Sequence, residues 1–277
     1  MSIAINTNVN SLLAQNYLSA NQSGLSQALN RLSSGLRINN AQDDAAGLAI
    51  AQGMQESSMA LRQGSRNGND GVSLLQTGQS ALTDTLNLLQ RMRELASQAS
   101  SGTYSTSDLT NLNTEFSALN NEINRVASNT TFNGISLTNN STGSLAIQVG
   151  SGNTSNDRLS ITLTNTTTGT AGLSTSGLSV SSNSGAQGAL DTLATAIQTV
   201  TTALAGFGAS EANLQAAITG NDSIATDLDS AKSRIMDADF ASESGNLAKF
   251  NILNQANVSM LSQANSSPQM VLKLLQG

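Results

Sequence analysis

The chain has no cysteine, no histidine and a single proline, Pro268. Without cysteine, disulfides and thiolate ligands are excluded. Without histidine, the commonest metal ligand and the usual general base near neutral pH are missing. Ser-His-Asp, Cys-His and zinc-protease arrangements are therefore impossible, and no convergent catalytic set can be named from what remains. Aromatic residues make up 3% and charged residues 11% of the 277 positions, a poor match to a compact enzyme with a large core. A net charge of -6 with no run of Lys or Arg argues against nucleic acid as a partner. No stretch has the apolar length needed to span a bilayer. The opening MSIAINTNVN lacks the basic and apolar regions of a cleaved secretory signal. The expectation is a protein that is not an enzyme, with no metal or cofactor and no membrane partner. If it leaves the cell, it does so by a route that reads no cleaved signal, and a cysteine-free chain suits either redox compartment.

What is present is concentrated at the two ends. Residues 1–42 and 246–277 are helix-patterned, apolar along one stripe and almost uncharged; Arg31 and Arg37 are the only charges in the first stretch, Lys249 and Lys273 in the second. A solitary surface helix keeps its outer face charged, whereas here Asn, Gln and Ser fill the polar positions. Uncharged polar groups are cheaper to bury than ions, so these ends suit helices packed by protein on many sides. That points to assembly of many copies.

Between the ends, Leu109, Leu112, Phe116, Leu119, Ile123 and Val126 step by three and four behind a Ser105/Asp108 capping box. The same rhythm runs from Leu190 through Leu193, Ile197, Val200, Leu204, Phe207, Leu214 and Ile218, broken by Glu211, and predicts one helix over about 188–235, roughly 70 Å long. Val72, Leu75, Leu82, Leu86, Leu89, Met92, Leu95 and Ala99 mark a third long helix reaching back to about Ala45, weakened locally by Gly53, Gly64, Gly68, Gly71 and Gly78. Residues 39–44 and 101–107 are the joints. From Val126 to Leu190 only Asp157 and Arg158 are charged, a composition open to disorder. Leu145, Ile147 and Val149 alternate, however, as do Leu159, Ile161 and Leu163, which predicts a β-hairpin. The fold class is mainly α: a long antiparallel helical bundle or coiled coil with a small β-hairpin insertion. The expected domains are an inner terminal-helix domain (1–42 and 246–277), a helical rod (43–138 and 186–245) and a Ser-, Thr- and Asn-rich insertion (139–185).

Several segments resemble bacterial flagellin: NTNVNSLLAQNYL (Asn6–Leu18), RINNAQDDAAGLAI (Arg37–Ile50) and RVASNTTFNG (Arg125–Gly134) in the first half, SRIMDADFASESGNLAK (Ser233–Lys249) and QANSSPQMVLKLL (Gln263–Leu275) in the second. The resemblance covers roughly 180 residues in two blocks in the right order, and implies a short flagellin without large outer domains. It further implies a filament subunit, exported unfolded and polymerised at the tip into a hollow helical propeller for motility outside the cell. The partners it implies are other copies of the chain, hook-associated and cap proteins, an export chaperone, the flagellar type III export apparatus and a vertebrate innate immune receptor. Related readings on the same architecture are the hook–filament junction protein and, from another class, a secreted effector or adhesin.

The inner polymerisation stripes comprise Leu12, Leu13, Leu25, Leu29 and Leu32 at one end, and Phe250, Leu253, Met260, Leu261, Leu272 and Leu275 at the other. Asp43 and Asp44 read either as a weak metal site or as acidic residues favouring a helix N-terminus, and the latter is preferred. The resemblance makes them a joint between inner core and outer rod. Arg91, Leu95 and Glu115 read either as a solvated face beside a core stripe or, by resemblance, as the receptor-recognition surface. The apolar segment after Pro268 is too short to span a membrane and suits inner packing; the resemblance adds chaperone binding there. The Ser- and Thr-rich middle is either O-glycosylated or a hydrated loop.

Overall fold

The structure, a computed structural model, describes residues 7–139 and 143–276, with side chains described as far as Ser267. It is mainly α-helical: α1 (Val9–Ser34), α2 (Ala45–Ala99), α3 (Thr106–Asn129), α4 (Asn183–Met236) and α5 (Phe240–Gln276). Two small hairpins lie between α3 and α4. β1 (Thr131–Phe132) pairs antiparallel with β2 (Ile135–Ser136), and β3 (Ser144–Gln148) with β4 (Arg158–Thr162). The chain forms two compact units, one of residues 1–56 and 227–277, the other of residues 57–226.

In the unit of residues 57–226 the helical stripes bury as their spacing predicts. Leu75, Leu82, Leu89, Met92 and Leu95 of α2, Leu109, Phe116 and Ile123 of α3, and Leu193, Val200, Phe207 and Leu214 of α4 share one core. The Ser105 hydroxyl accepts the Asp108 N–H while the Asp108 carboxylate accepts the Ser105 N–H, so α3 opens on the predicted capping box. Glu211, the break in the α4 stripe, accepts hydrogen bonds from Gln76 (3.1 Å) and Gln79 (2.9 Å) across to α2. The helix predicted over 188–235 extends to Asn183–Met236, and the one reaching back to Ala45 begins there.

The glycines that weaken α2 as a helix are what lets it pack. A Cβ on Gly78 would lie 2.5 Å from the Phe207 ring, one on Gly68 2.8 Å from Ile218, and one on Gly64 2.0 Å from the Val149 carbonyl oxygen. Helix propensity is lost at each position, and close approach of α4 and the hairpin is gained. Leu145 faces Ile161 and Ile147 faces Leu159 across β3 and β4, so the alternating runs form the predicted hairpin, and Ile161 is fully buried. Asn67 of α2 donates to the Gln148 carbonyl (3.0 Å) and Asn221 of α4 to the Val149 carbonyl (2.8 Å), fastening the hairpin to both helices. The β1–β2 hairpin turns on Asn133 and Gly134, both at positive φ, an Asn-Gly signal that the sequence reading passed over.

Candidate functional site

The unit of residues 1–56 and 227–277 is built on different terms. Among the described residues its buried apolar side chains are Ala28, Ile38 and Ala51, whereas Val9, Leu12, Leu13, Tyr17, Leu29, Ile50, Phe240, Ile252, Leu253, Val258 and Met260 are exposed. Leu12 is 60% and Met260 65% accessible. Burying a Leu or Met side chain stabilises by about 1.5–3 kcal/mol, so leaving this many in water is costly for an isolated chain.

α1 and α5 pair antiparallel. Asn8 caps α1 by accepting the Ser11 N–H (3.1 Å) and donates to the Ala264 carbonyl (2.8 Å); the Ser11 hydroxyl donates to Asn265 (2.8 Å). Midway, Gly24 receives the Phe250 ring so closely that a Cβ there would lie 2.6 Å from it. Leu25, Leu32, Phe250 and Leu261 are half-buried, while Leu12, Leu13, Leu29, Leu253 and Met260 remain exposed. The side chains of Leu272 and Leu275 lie outside the described residues. A groove of 370 Å³ along the pair is lined by Leu13, Tyr17, Asn257 and Met260 among others. The arrangement is an antiparallel pair of helices with apolar residues still facing outward.

α1 stops earlier than the 1–42 pattern suggests. Gly35 adopts φ +72°, and its N–H bonds the Arg31 carbonyl (2.9 Å), a left-handed cap that only glycine makes without strain. The joint therefore opens at Gly35 rather than Asn39. Beyond it Leu36 bridges antiparallel to Asp237. The Arg37 N–H donates to the Met236 carbonyl and its guanidinium to the Ile235 carbonyl, both at 2.6 Å. α5 then starts at Phe240, six residues before the predicted 246, with the Asp239 carboxylate accepting the Ala241 N–H (3.0 Å).

Asp43 and Asp44 both work on this joint. Asp43 accepts the N–H groups of Asn40 (3.0 Å) and Asn39 (3.1 Å) and the amide of Gln27 (3.0 Å). The Asn40 bond first, then that of Asn39, holds its carboxyl below the ordinary 3.8. Asp44 accepts the Gly47 N–H (2.8 Å) in the first turn of α2. These carboxylates are turned to backbone donors. Among the described residues, no three acidic side chains converge on a metal position.

The third predicted group lies in the other unit. Arg91 donates to Glu115 (2.8 and 3.0 Å) and to Glu94 (3.0 Å), and all three side chains are about half accessible or more. Glu115 first and Glu94 second hold the guanidinium in its charged form. Leu95 is placed differently: it is 1% accessible and packs in the core with Leu89 and Met92, beneath this surface rather than on it. Gly24, Asn67 and Asn221 were not singled out from sequence, since a lone Gly or Asn in a helix carries no pattern that names its partner; Arg37 stood out as one of two charges in its stretch, but nothing in the pattern pointed to the end of α4.

Residues 5–143 match the bacterial flagellin N-terminal helical region, and residues 190–275 the bacterial flagellin C-terminal helical region. The chain is 39% identical over 285 residues to a flagellin of Listeria innocua and 38% identical over 272 residues to a flagellin of Halalkalibacterium halodurans. Both comparisons span 98% of this chain and 99% of the relative. It is 34% identical over 284 residues to the flagellar filament 33 kDa core protein of Treponema phagedenis, again over 98% and 99%. Among solved structures, the crystal structure of Bacillus cereus flagellin is similar with a TM-score of 0.50 and 33% identity, over 56% of this chain and 88% of that one.

Proposed function

The chain belongs to the bacterial flagellin family and is a structural subunit of the extracellular flagellar filament that assembles with copies of itself; from that premise we propose that α1 and α5 are its polymerisation elements. The observation that carries this is the contrast between the two units. One has a closed apolar core, and the other leaves Leu12, Leu13, Leu29, Leu253 and Met260 in water on helices with almost no charge. Helices in proteins take most of their stability from packing of an apolar face rather than from propensity, and ordering each residue costs about 1–2 kcal/mol of backbone entropy. Burial against neighbouring copies offsets that cost, so the ends fold as they join and polymerisation is coupled folding and binding.

In this reading residues 1–42 and 246–277 form an inner layer, 43–138 and 186–245 an outer rod, and 139–185 an insertion in the rod. Leu25, Leu32, Phe250, Leu261, Leu272 and Leu275 belong to the inner layer, and Asp43 and Asp44 fix the joint. The chain is exported unfolded and added at the filament tip, handled on the way by a chaperone and the type III export apparatus, with hook-associated and cap proteins at the filament's two ends. The accessible ion pair of Arg91 and Glu115 supports a further role of the free subunit as a target of a host innate immune receptor.

Deleting residues 246–277 tests the inner-layer assignment. The truncated chain is expected to keep the cooperative melt of the 57–226 unit and to form no filaments by negative-stain microscopy. Tubes of normal diameter from the truncated chain would overturn it.

A further inference from the structure

We propose that the pairing of α1 with α5 has a single permitted register, started by the clasp at Gly35–Arg37 and Ile235–Ala238 and fixed by the seat that Gly24 offers to Phe250. The proposal rests on the reading of α1 and α5 as polymerisation elements, and names the residues that decide which pairing is competent to join.

The contacts fall at matched steps along two antiparallel helices. Leu36 faces Asp237, Gly24 receives Phe250, and Ser11 bonds Asn265. From the Leu36–Asp237 bridge to the Gly24–Phe250 seat the chain runs 12 residues on one side and 13 on the other, and from the seat to Ser11–Asn265 it runs 13 along α1 and 15 along α5, close to the matched steps of two antiparallel helices of equal rise. At the clasp, Arg37 supplies two donors to carbonyls in the last turn of α4, and the Ala238 N–H returns a bond to the Gly35 carbonyl (2.9 Å). Those carbonyls have no partner within the helix, so the clasp satisfies groups that α4 leaves open. It also ties together chain positions some two hundred residues apart. Once it is made, bringing Phe250 to Gly24 closes only a short span, and the rest of the pair can zip from there.

Register is then decided by one side chain and one absent side chain. Gly24 is the only glycine in α1. A slip of one turn would set Phe250 against Ala20 or Ala28, each of which carries the Cβ that Gly24 lacks. At Gly24 that atom would lie 2.6 to 3.0 Å from ring atoms Cζ, Cε1 and Cε2 of Phe250. Ala28 is already 1% accessible and has no room to offer.

Gly24→Ala is the discriminating variant, because alanine is the better helix former and any loss cannot come from a weaker α1. Filament mass per unit protein is expected to fall at least tenfold. Gly24→Ala with Phe250→Leu is expected to recover most of it, since leucine lacks the three ring atoms that the new methyl meets. Register is read directly because the chain has no cysteine. In assembled filaments, a Ser11→Cys/Asn265→Cys pair should be joined within one chain by a short bis-maleimide, and a Ser11→Cys/Ser262→Cys pair should not. Arg37→Ala should slow filament growth several-fold while leaving that cross-link pattern unchanged.

Parental filament yield from Gly24→Ala, or no recovery on adding Phe250→Leu, overturns the seat. Preferential linking of Ser11→Cys to Ser262→Cys overturns the register, and parental growth of Arg37→Ala overturns the clasp. None of these outcomes touches the broader reading. That reading falls only if the chain lacking residues 246–277 still polymerises.

Discussion

Phe207 shows how much of the folded unit depends on single residues. It is 2% accessible, and Gly78 on α2 leaves the space that its ring fills. Phe207→Ala should destabilise the free subunit by about 3–5 kcal/mol, and Leu204→Ala, half-buried at the edge of the same stripe, by about 2 kcal/mol. Thermal melts check the order, and equal small losses for both would place the α4 stripe outside the core. A second residue, Asp157, organises the β3–β4 turn by accepting from the Thr154 hydroxyl (2.6 Å) and the N–H groups of Thr154 (2.9 Å) and Gly152 (3.2 Å). The Thr154 hydroxyl first, then the two N–H groups, hold its carboxyl below the ordinary 3.8. A depressed pKa in the folded state means that this support is fully present above the unfolded value and is lost as pH falls through the folded one. The Gly152 and Thr154 amides should therefore lose hydrogen-exchange protection below about pH 3.8, after correction for intrinsic rates. Asp157→Asn should remove that acid step.

At the scale of elements, glycines within helices divide into two kinds that only packing distinguishes. Gly64 lies where a Cβ would come 2.0 Å from a backbone oxygen, whereas Gly220 on α4 has nothing within 4 Å of that position. Gly64→Ala should destabilise by about 1–3 kcal/mol through overpacking, and Gly220→Ala should stabilise the free subunit by up to about 1 kcal/mol through helix propensity. Opposite signs in chemical denaturation are the expected result; the same sign for both would mean that the α2 glycines are not a packing face. This is also where sequence and structure part. The helices were legible because Leu, Ile and Val recur at three and four over long spans, and the hairpin because Leu145–Val149 and Leu159–Leu163 alternate. The end of α1 was not, because Gly35 reads as one more glycine until its φ is known. Leu95 lies in the core with Leu89 and Met92, as its place on the α2 stripe predicts, so of the three residues grouped by resemblance only Arg91 and Glu115 reach the surface.

At the scale of the whole molecule, the resemblance named the assembly role, and the uncharged apolar ends had reached packed helices independently. The contacts that join α1 to α5 were invisible, since Asn8, Ser11 and Gly24 find partners 226 to 256 positions away. The Arg91 surface is the remaining test at this scale. Its ion pairs with Glu94 and Glu115 are about half accessible, so losing them should cost the fold no more than about 1 kcal/mol. An effect on recognition is expected to be larger, because arginine is a frequent anchor at interfaces. Arg91→Ala should weaken binding of the free subunit to the proposed immune receptor by about 2 kcal/mol. If packing between copies covers this helix, as proposed, filaments should signal weakly with or without Arg91. The comparison is receptor signalling by depolymerised and polymerised protein at equal mass, for the parent and for Arg91→Ala. Equal signalling from both forms of the parent would remove the idea of a surface covered on assembly. A free Arg91→Ala subunit that signals like the parent would return Arg91 to the part of a solvated ion pair on the outer face of α2.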